Sequence, residues 1–215
     1  MKKLFIITCL LSSIGIQDAI AQEQDLTQAL KQLDQAEELG DYELLAATFE
    51  QIALEQPTDW LPPYYAAYCH AKIGFMLQDA GEAIEPYSNS GEEQIKQSIS
   101  LIDTSNNKKA FSEALTVLSM VYRTKVFINP MTYGRTYGIK SQNCLQKALE
   151  LDADNPRAIY LAAWVKYYTP KTWGGDKEKA KELASKSLAL LGGATNTASN
   201  PHWGTKENKE LLSKY

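Results

Sequence analysis

The sequence has little of what catalytic and metal sites are usually built from. It holds only three cysteines and two histidines among 215 residues, and no Cys or His spacing resembles a metal site. It also lacks a zinc-protease helix motif, a nucleophile elbow and a phosphate-cradling loop. We therefore expect a protein that is not an enzyme and that needs no metal and no cofactor. An enzyme whose acids meet from separate helices is the remaining alternative.

Clustered positive charge is missing as well. The chain has 22 Lys and Arg against 26 Asp and Glu, a net charge of -4, and no basic stripe. Because phosphate binding requires clustered cations, this balance excludes nucleic acid as the expected partner. Hydrophobic residues make up 44% and charged residues 22%, which is the composition of a globular protein.

A hydrophobic run occurs only at the N-terminus. Lys2 and Lys3 precede an apolar stretch at residues 4–16, and Ala19-Ile20-Ala21 supplies a small-x-small cleavage pattern. The stretch is short for a bilayer core of roughly 30 Å, so a signal peptide at 1–21 is favoured over a signal anchor. The mature chain, 22–215, is expected to be periplasmic or secreted, without stable membrane insertion.

Strand patterns are scarce, whereas apolar residues recur at helical spacing. Leu26, Leu30 and Leu33 lie on one face of the first run, and Pro and Gly fall between runs. The pattern predicts an all-α domain of about four antiparallel helix pairs and a C-terminal helix. The predicted helices are 25–39, 42–55, 62–77, 92–102, 108–128, 139–151, 156–168, 177–191 and 205–215.

The predicted connections differ in character. Gly40-Asp41 is expected to be a turn, residues 79–91 a long link with or without a short helical piece, and residues 194–200 a polar loop. Residues 129–138 are an unusually polar and aromatic connector. This connector is expected either to close one end of a groove or to pack its tyrosines against neighbouring helices, with the second favoured.

Three segments resemble the tetratricopeptide repeat. They are Gly40-Asp41-Tyr42 with Phe49 and Pro57, Ala148-Leu149-Glu150-Leu151-Asp152 with Asn155-Pro156-Arg157-Ala158, and Gly175-Asp176-Lys177-Glu178-Lys179-Ala180. Residues 59–65, 129–132 and 201–204 also look like segments of exported bacterial tetratricopeptide-like proteins of unassigned function. The resemblance implies a right-handed stack of helix hairpins and names no activity.

Aromatic residues are plentiful, with twelve Tyr and four Trp. In stacked hairpins the first helix of each pair lines the concave surface where partners dock. Tyr and Trp combine contact area with a polar group, which suits recognition. The predicted partner-binding residues are Tyr64, Tyr68, Arg157, Tyr160, Trp164 and Tyr168. Filling the spaces between hairpins is an equally open use of each.

Two functions of different class follow. The first is an exported scaffold or assembly factor that binds a protein or peptide through its concave face. The alternative is a periplasmic accessory of a solute transporter that binds a small molecule, since residues 168–177 are locally similar to such components. An enclosed cavity of several hundred Å³ would favour the small molecule, and an open groove would favour a chain.

The remaining reactive side chains are expected to be structural. His70 and His202 are predicted to be packing histidines, and Asp176 to cap the helix that follows it. Cys69 and Cys144 have no framework spacing. They are predicted to be buried thiols, although an oxidising compartment would allow them to pair.

Overall fold

The computed structural model describes residues 25–193 and 200–215. Across these two ranges the chain forms helices and no strand, which confirms the all-α prediction. The helices are α1 (helical at residues 25–33), α2 (Leu39–Glu55), α3 (Leu61–Met76), α4 (Glu85–Leu101), α5 (Lys108–Ile128), α6 (Pro130–Leu151), α7 (Pro156–Tyr168), α8 (Lys177–Gly192) and α9 (Thr205–Leu212). The predicted signal peptide and residues 194–199 of the predicted loop lie outside the described residues.

Three helices begin where the sequence predicts, because each follows a residue whose side chain caps it. Asn107 Oδ1 accepts a hydrogen bond from the backbone of Ala110, at 3.2 Å, at the start of α5. Asn155 caps α7 in the same way, and Asp176 caps α8 through Lys179 N at 2.9 Å. Such caps satisfy backbone donors that have no partner within the helix.

The predicted turn at Gly40-Asp41 is wrong. Both residues lie in the first turn of α2, and the chain reverses before Leu39. The carboxylate of Asp41 accepts hydrogen bonds from Glu37 N at 3.0 Å and Glu38 N at 2.9 Å. An acidic side chain in the first turn is favourable there because the helix N-terminus is electropositive. A Gly-Asp pair therefore begins this helix instead of ending the previous one.

Helix α4 also differs from the prediction, since it begins at Glu85 instead of residue 92. The short helical piece allowed for in the link before it is present as a 3₁₀ helix, Gly81–Ile84. Gly91 lies inside α4 and is buried. A Cβ atom there would lie 3.1 Å from His70 Cβ and 3.2 Å from Val121 Cγ2. The glycine is required for close packing between helices, not for a turn.

The predicted connector at 129–138 is wrong as well, because the residues from Pro130 onward form the first turns of α6. Asn129 caps the helix through Thr132 N at 3.1 Å, and Pro130 takes the first helical position, which suits its fixed φ. Tyr133 and Tyr137, one turn apart, have ring centroids 5.6 Å apart. This edge-to-face ring contact and the cap outweigh the two glycines of the segment.

Side-chain contacts fix how the helices neighbour one another. Ser112 Oγ donates to Ala148 O at 2.8 Å and Ser119 Oγ to Ser141 O at 2.7 Å, so α5 and α6 are antiparallel. Tyr64 contacts Glu113 on α5, and Glu113 contacts Arg157 on α7. Helices α3, α5 and α7 therefore form one surface, which we call the α3–α5–α7 surface. None of the described helices is long and apolar enough to cross a bilayer.

Candidate ligand-binding surfaces

The chain's own end covers much of the α3–α5–α7 surface. We call residues 200–212 the C-terminal segment. Its Trp203 is buried, stacks on Tyr68 with ring centroids 4.6 Å apart, and meets the edge of Tyr160 at 6.3 Å. Trp203 Nε1 donates a hydrogen bond to Tyr64 Oη at 2.7 Å. Helices α3 and α7 thus supply both ring contacts and a hydrogen-bond acceptor for the indole.

A buried ion pair lies beneath this indole. Arg157 Nη1 donates to Glu113 Oε1 at 3.0 Å, and Tyr64 Oη donates to Glu113 Oε2 at 3.2 Å. Arg157 Nη2 also donates to Pro201 O of the C-terminal segment. Burial raises the pKa of Glu113 above its ordinary range, and the guanidinium and phenol only partly oppose this. Arg157 is therefore committed to internal contacts.

A second buried carboxylate, Glu207, holds α9 in place. Its Oε1 accepts from Tyr68 Oη at 2.6 Å and from Lys72 Nζ at 3.3 Å, and its Oε2 accepts from Gly204 N at 3.0 Å. Burial raises the pKa of Glu207, but the Lys72 cation and these hydrogen bonds outweigh it, so the net pKa is lowered. The carboxylate stays ionised as part of the structure.

Both histidines pack as the sequence predicts. His202 Nδ1 lies 3.2 Å from Tyr65 Oη and its Nε2 lies 3.0 Å from Asp34 Oδ1, which ties the C-terminal segment to the end of α1. His70 is buried, with Nε2 2.8 Å from Glu50 Oε1. Cys69 and Cys144 both carry free thiols.

The six predicted partner-binding residues divide into two groups. Four of them, Tyr64, Tyr68, Arg157 and Tyr160, are buried and contact the C-terminal segment. Trp164 and Tyr168 lie farther along α7, with ring centroids 4.6 Å apart, and Tyr168 is 48% exposed. Recognition of a partner by these residues stays a prediction.

An open cleft lies on another part of the molecule, between α6 and α7. We call it the α6–α7 cleft. Its volume is about 710 Å³. Apolar side chains from both helices and from α8 line it, with polar groups among them. The lining residues are Arg123, Gly138, Gln142, Leu145, Gln146, Leu149, Glu150, Ala162, Val165, Lys166, Thr169, Trp173, Gly174 and Leu183.

The loop between α7 and α8 presents Trp173 at this cleft. Trp173 ends a short 3₁₀ helix, Lys171–Trp173, and is 81% exposed. Gly174 follows at φ +88°, and Gly175 has Thr169 O only 1.7 Å from where a Cβ would stand, so neither tolerates a side chain. Lys166 Nζ donates to Gly174 O at 2.8 Å. The loop is therefore built to hold an exposed indole.

Arg123 is the residue that α5 contributes to the cleft. Its Nε is shut off from solvent and has no hydrogen-bond partner within the described part of the chain. Burial lowers the pKa of the guanidinium, and no opposing carboxylate contributes. Sequence reasoning missed both Arg123 and Trp173. The signals were a cation in the apolar stretch of α5 and a tryptophan before two glycines.

Comparison with known proteins assigns the chain to a family. No family profile and no curated protein sequence matches it. Among solved structures it is similar to the HusA haemophore from Porphyromonas gingivalis, at 32% identity and a TM-score of 0.73, over 91% of each chain. The protein belongs to the HusA family. The HusA relative is a haemophore, a binding protein and not an enzyme, which is in keeping with the predicted binding role.

Proposed function

We propose that this HusA-family protein binds a flat, largely apolar small molecule of the haem class in the α6–α7 cleft. The observation that carries the proposal is an open cleft of about 710 Å³ with apolar walls, in a relative of a haemophore. Small-molecule sites are typically concave, mostly apolar and of this size. The proposal favours the small-ligand alternative over the peptide partner as the main function.

The lining fits the macrocycle of a haem better than it fits the iron. Leu145 and Leu149 of α6 face the same space as Ala162 and Val165 of α7, so a flat apolar ring would be covered on both sides. Among the described residues that line the cleft, none is His, Cys, Met or Tyr, the usual axial ligands of haem iron. We therefore expect recognition of the porphyrin ring to supply most of the affinity.

A titration with two probes tests this function. Haemin and metal-free protoporphyrin IX would be added to the mature protein, and binding followed by the porphyrin absorbance. We expect the two dissociation constants to agree within about tenfold, because contact with the ring and not iron ligation is the main term. Failure of both probes to bind would overturn the proposal.

A pair of matched variants locates the site. Ala162→Phe places a phenyl ring inside the α6–α7 cleft and is expected to weaken porphyrin binding by about tenfold or more through steric exclusion. Ala47→Phe makes the same change in a different groove, of about 540 Å³, which α2 helps to line with polar residues. Binding that falls with Ala47→Phe, or that persists with Ala162→Phe, would contradict the location.

A second proposal concerns the α3–α5–α7 surface, as part of a tetratricopeptide-like stack. The C-terminal segment lies on it much as a bound peptide would, with Trp203 as the anchor, which supports peptide recognition there. A partner would dock on the uncovered end, at Trp164 and Tyr168. Partner recovery from the envelope fraction should fall when both become alanine, and equal recovery would dismiss this surface.

We also propose that the protein is exported after cleavage of residues 1–21. The leader pattern and family membership with a haemophore support this. Mass measurement of the protein isolated from its own cells should place the mature N-terminus at Gln22. Retention of the first 21 residues would indicate a signal anchor instead.

A further inference from the structure

Arg123 is partly buried, and it differs from the other shielded cations among the described residues. Lys72 pairs with Glu207 at 3.3 Å, Lys125 with Glu92 at 2.9 Å, and Arg157 with Glu113 at 3.0 Å. Arg123 forms no ion pair with any described residue, and its Nε finds no hydrogen-bond partner there. A cation that is partly removed from water without a counter-charge is unfavourable for the folded protein. An anion supplied from outside would remove that penalty.

The position of Arg123 indicates where such an anion would come from. The residue lines the α6–α7 cleft from α5, and α5 packs against both α6 and α7. A ligand that enters between the walls therefore meets this guanidinium. Two charged groups nearby have partners already: Lys166 donates to Gly174 O at 2.8 Å, and Glu150 accepts from Gln146 Nε2 at 3.1 Å.

The chemistry of the guanidinium restricts the class of ligand that the cleft would bind. Its planar array of N–H donors matches a carboxylate through two parallel hydrogen bonds, and such charge-assisted bonds are among the strong ones. The apolar walls of the cleft match a flat hydrocarbon ring. A ligand that satisfies both features is an apolar macrocycle with a carboxylate on its edge.

We propose that Arg123 anchors a ligand carboxylate in the α6–α7 cleft, so that the protein selects planar apolar molecules that carry a free carboxylate and binds them with that group directed at α5. This inference rests on the proposed function and names the chemical group that the site reads. It assigns Arg123 as a specificity-determining residue.

The test compares protoporphyrin IX with its dimethyl ester, which has the same ring without free carboxylates. Both are titrated in the same dilute detergent into the wild-type protein and into Arg123→Met. The wild-type protein should bind the acid about tenfold or more tightly than the ester, the range expected for one charge-assisted hydrogen-bonded pair. Arg123→Met should abolish that preference by weakening the acid and leaving the ester within about threefold.

Two further variants separate the anchor from other roles. Arg135→Met removes the same charge from an exposed position on α6 and should leave the preference intact. Arg123→Lys keeps the charge without the planar fork and should restore part of the preference. Circular dichroism and thermal unfolding confirm that each variant is folded.

The outcomes distinguish this inference from the proposed function. Equal binding of acid and ester by the wild-type protein, or equal losses of both in Arg123→Met, would overturn the anchor while leaving porphyrin binding in place. Failure of the wild-type protein to bind either probe would overturn both. An acid preference that disappears only in Arg123→Met supports the assignment.

Discussion

The α3–α5–α7 surface and the α6–α7 cleft use the same kinds of side chain to opposite effect. In the first, Trp203 is 5% exposed and Arg157 contacts Glu113 and Pro201. In the second, Trp173 is 81% exposed, no carboxylate contributes to the pKa of Arg123, and its Nε has no hydrogen-bond partner among the described residues. The first surface is completed by the chain itself, whereas the cleft has groups that a ligand would complete.

This difference teaches that residue type alone does not identify a site. Burial disfavours the charged form of both guanidiniums, yet the pKa of Arg157 is raised overall by Glu113 while that of Arg123 is lowered. Satisfied polar groups point to structure, and an unsatisfied one in a cleft points to function. Substitutions made in pairs, one on each surface, test the distinction.

The two tryptophans should show the largest contrast. Trp203→Ala removes a buried, stacked ring and its hydrogen bond to Tyr64, and we expect it to lower the free energy of unfolding by about 4 kcal/mol. Trp173→Ala should change stability by about 0.5 kcal/mol or less, because the side chain is exposed, while weakening porphyrin binding. Denaturant unfolding and porphyrin titration measure the two effects. Similar stabilities of the two variants would remove the contrast.

The two arginines come next. Arg157→Met leaves the Glu113 carboxylate buried without its counter-ion, at a cost of about 3 kcal/mol. Arg123→Met leaves no carboxylate unpaired among the described residues and removes an unpaired cation, so stability should stay the same or rise. Thermal unfolding of both variants at neutral pH checks this. A strongly destabilised Arg123→Met would mean that the guanidinium has a structural partner after all.

An effect of intermediate size is expected from the pH dependence of stability, which tests the α3–α5–α7 surface alone. The pKa of Glu207 is lowered in the folded protein from an ordinary 4.5, so its stabilising contribution is present above that value. The contribution is lost as the pH falls through the folded pKa. Glu207→Gln should therefore cost about 1.5–3 kcal/mol at neutral pH, and the difference from the wild type should shrink in acid.

The pKa shift of Glu113 has the opposite sign to that of Glu207, so the two carboxylates can be told apart by their pH dependence. Its pKa is raised, so its contribution is present in acid and is lost as the pH rises through the folded pKa. Glu113 therefore does not produce the loss of stability at low pH that is expected from Glu207. Glu37→Gln, which breaks the exposed pair with Lys206, serves as a control and should change stability by about 0.5 kcal/mol or less at any pH. A constant Glu207→Gln difference across the series would contradict this account.

Local chemistry made much of the fold predictable. The caps Asn107, Asn155 and Asp176 gave correct helix starts, because a cap depends on residues close in sequence. The glycines were predicted less well, because two that were expected between helices lie inside them. Gly91 allows close contacts with other helices, and Gly40 lies in the first turn of α2. Tertiary contacts, which a local pattern does not contain, decided the position of Gly91, whereas the local hydrogen bonds that Asp41 accepts from Glu37 N and Glu38 N decided that of Gly40.

The sites were harder to predict for a related reason. The aromatic residues on α3 and α7 were identified from spacing, but their cover, the C-terminal segment, joins residues far apart in the chain, such as Tyr68 and Glu207. Arg123 stands out only because partners are missing around it. Whether a side chain lacks a hydrogen-bond partner depends on how the folded helices pack, so the sequence pattern did not reveal the cleft.

The smallest effects test the helix that replaced a predicted loop, and with it the wall of the cleft. Gly134 and Gly138 lie one turn apart in α6 at negative φ, and an added Cβ would meet nothing within 4 Å at either. Gly→Ala at each should stabilise the protein by about 0.5–1 kcal/mol, because alanine is the better helix former. Only Gly138 lines the cleft, so only Gly138→Ala should alter porphyrin binding, by about threefold. Destabilisation by both substitutions would contradict a helical conformation for these residues. Equal effects of the two on porphyrin binding would contradict contact between the ligand and this wall.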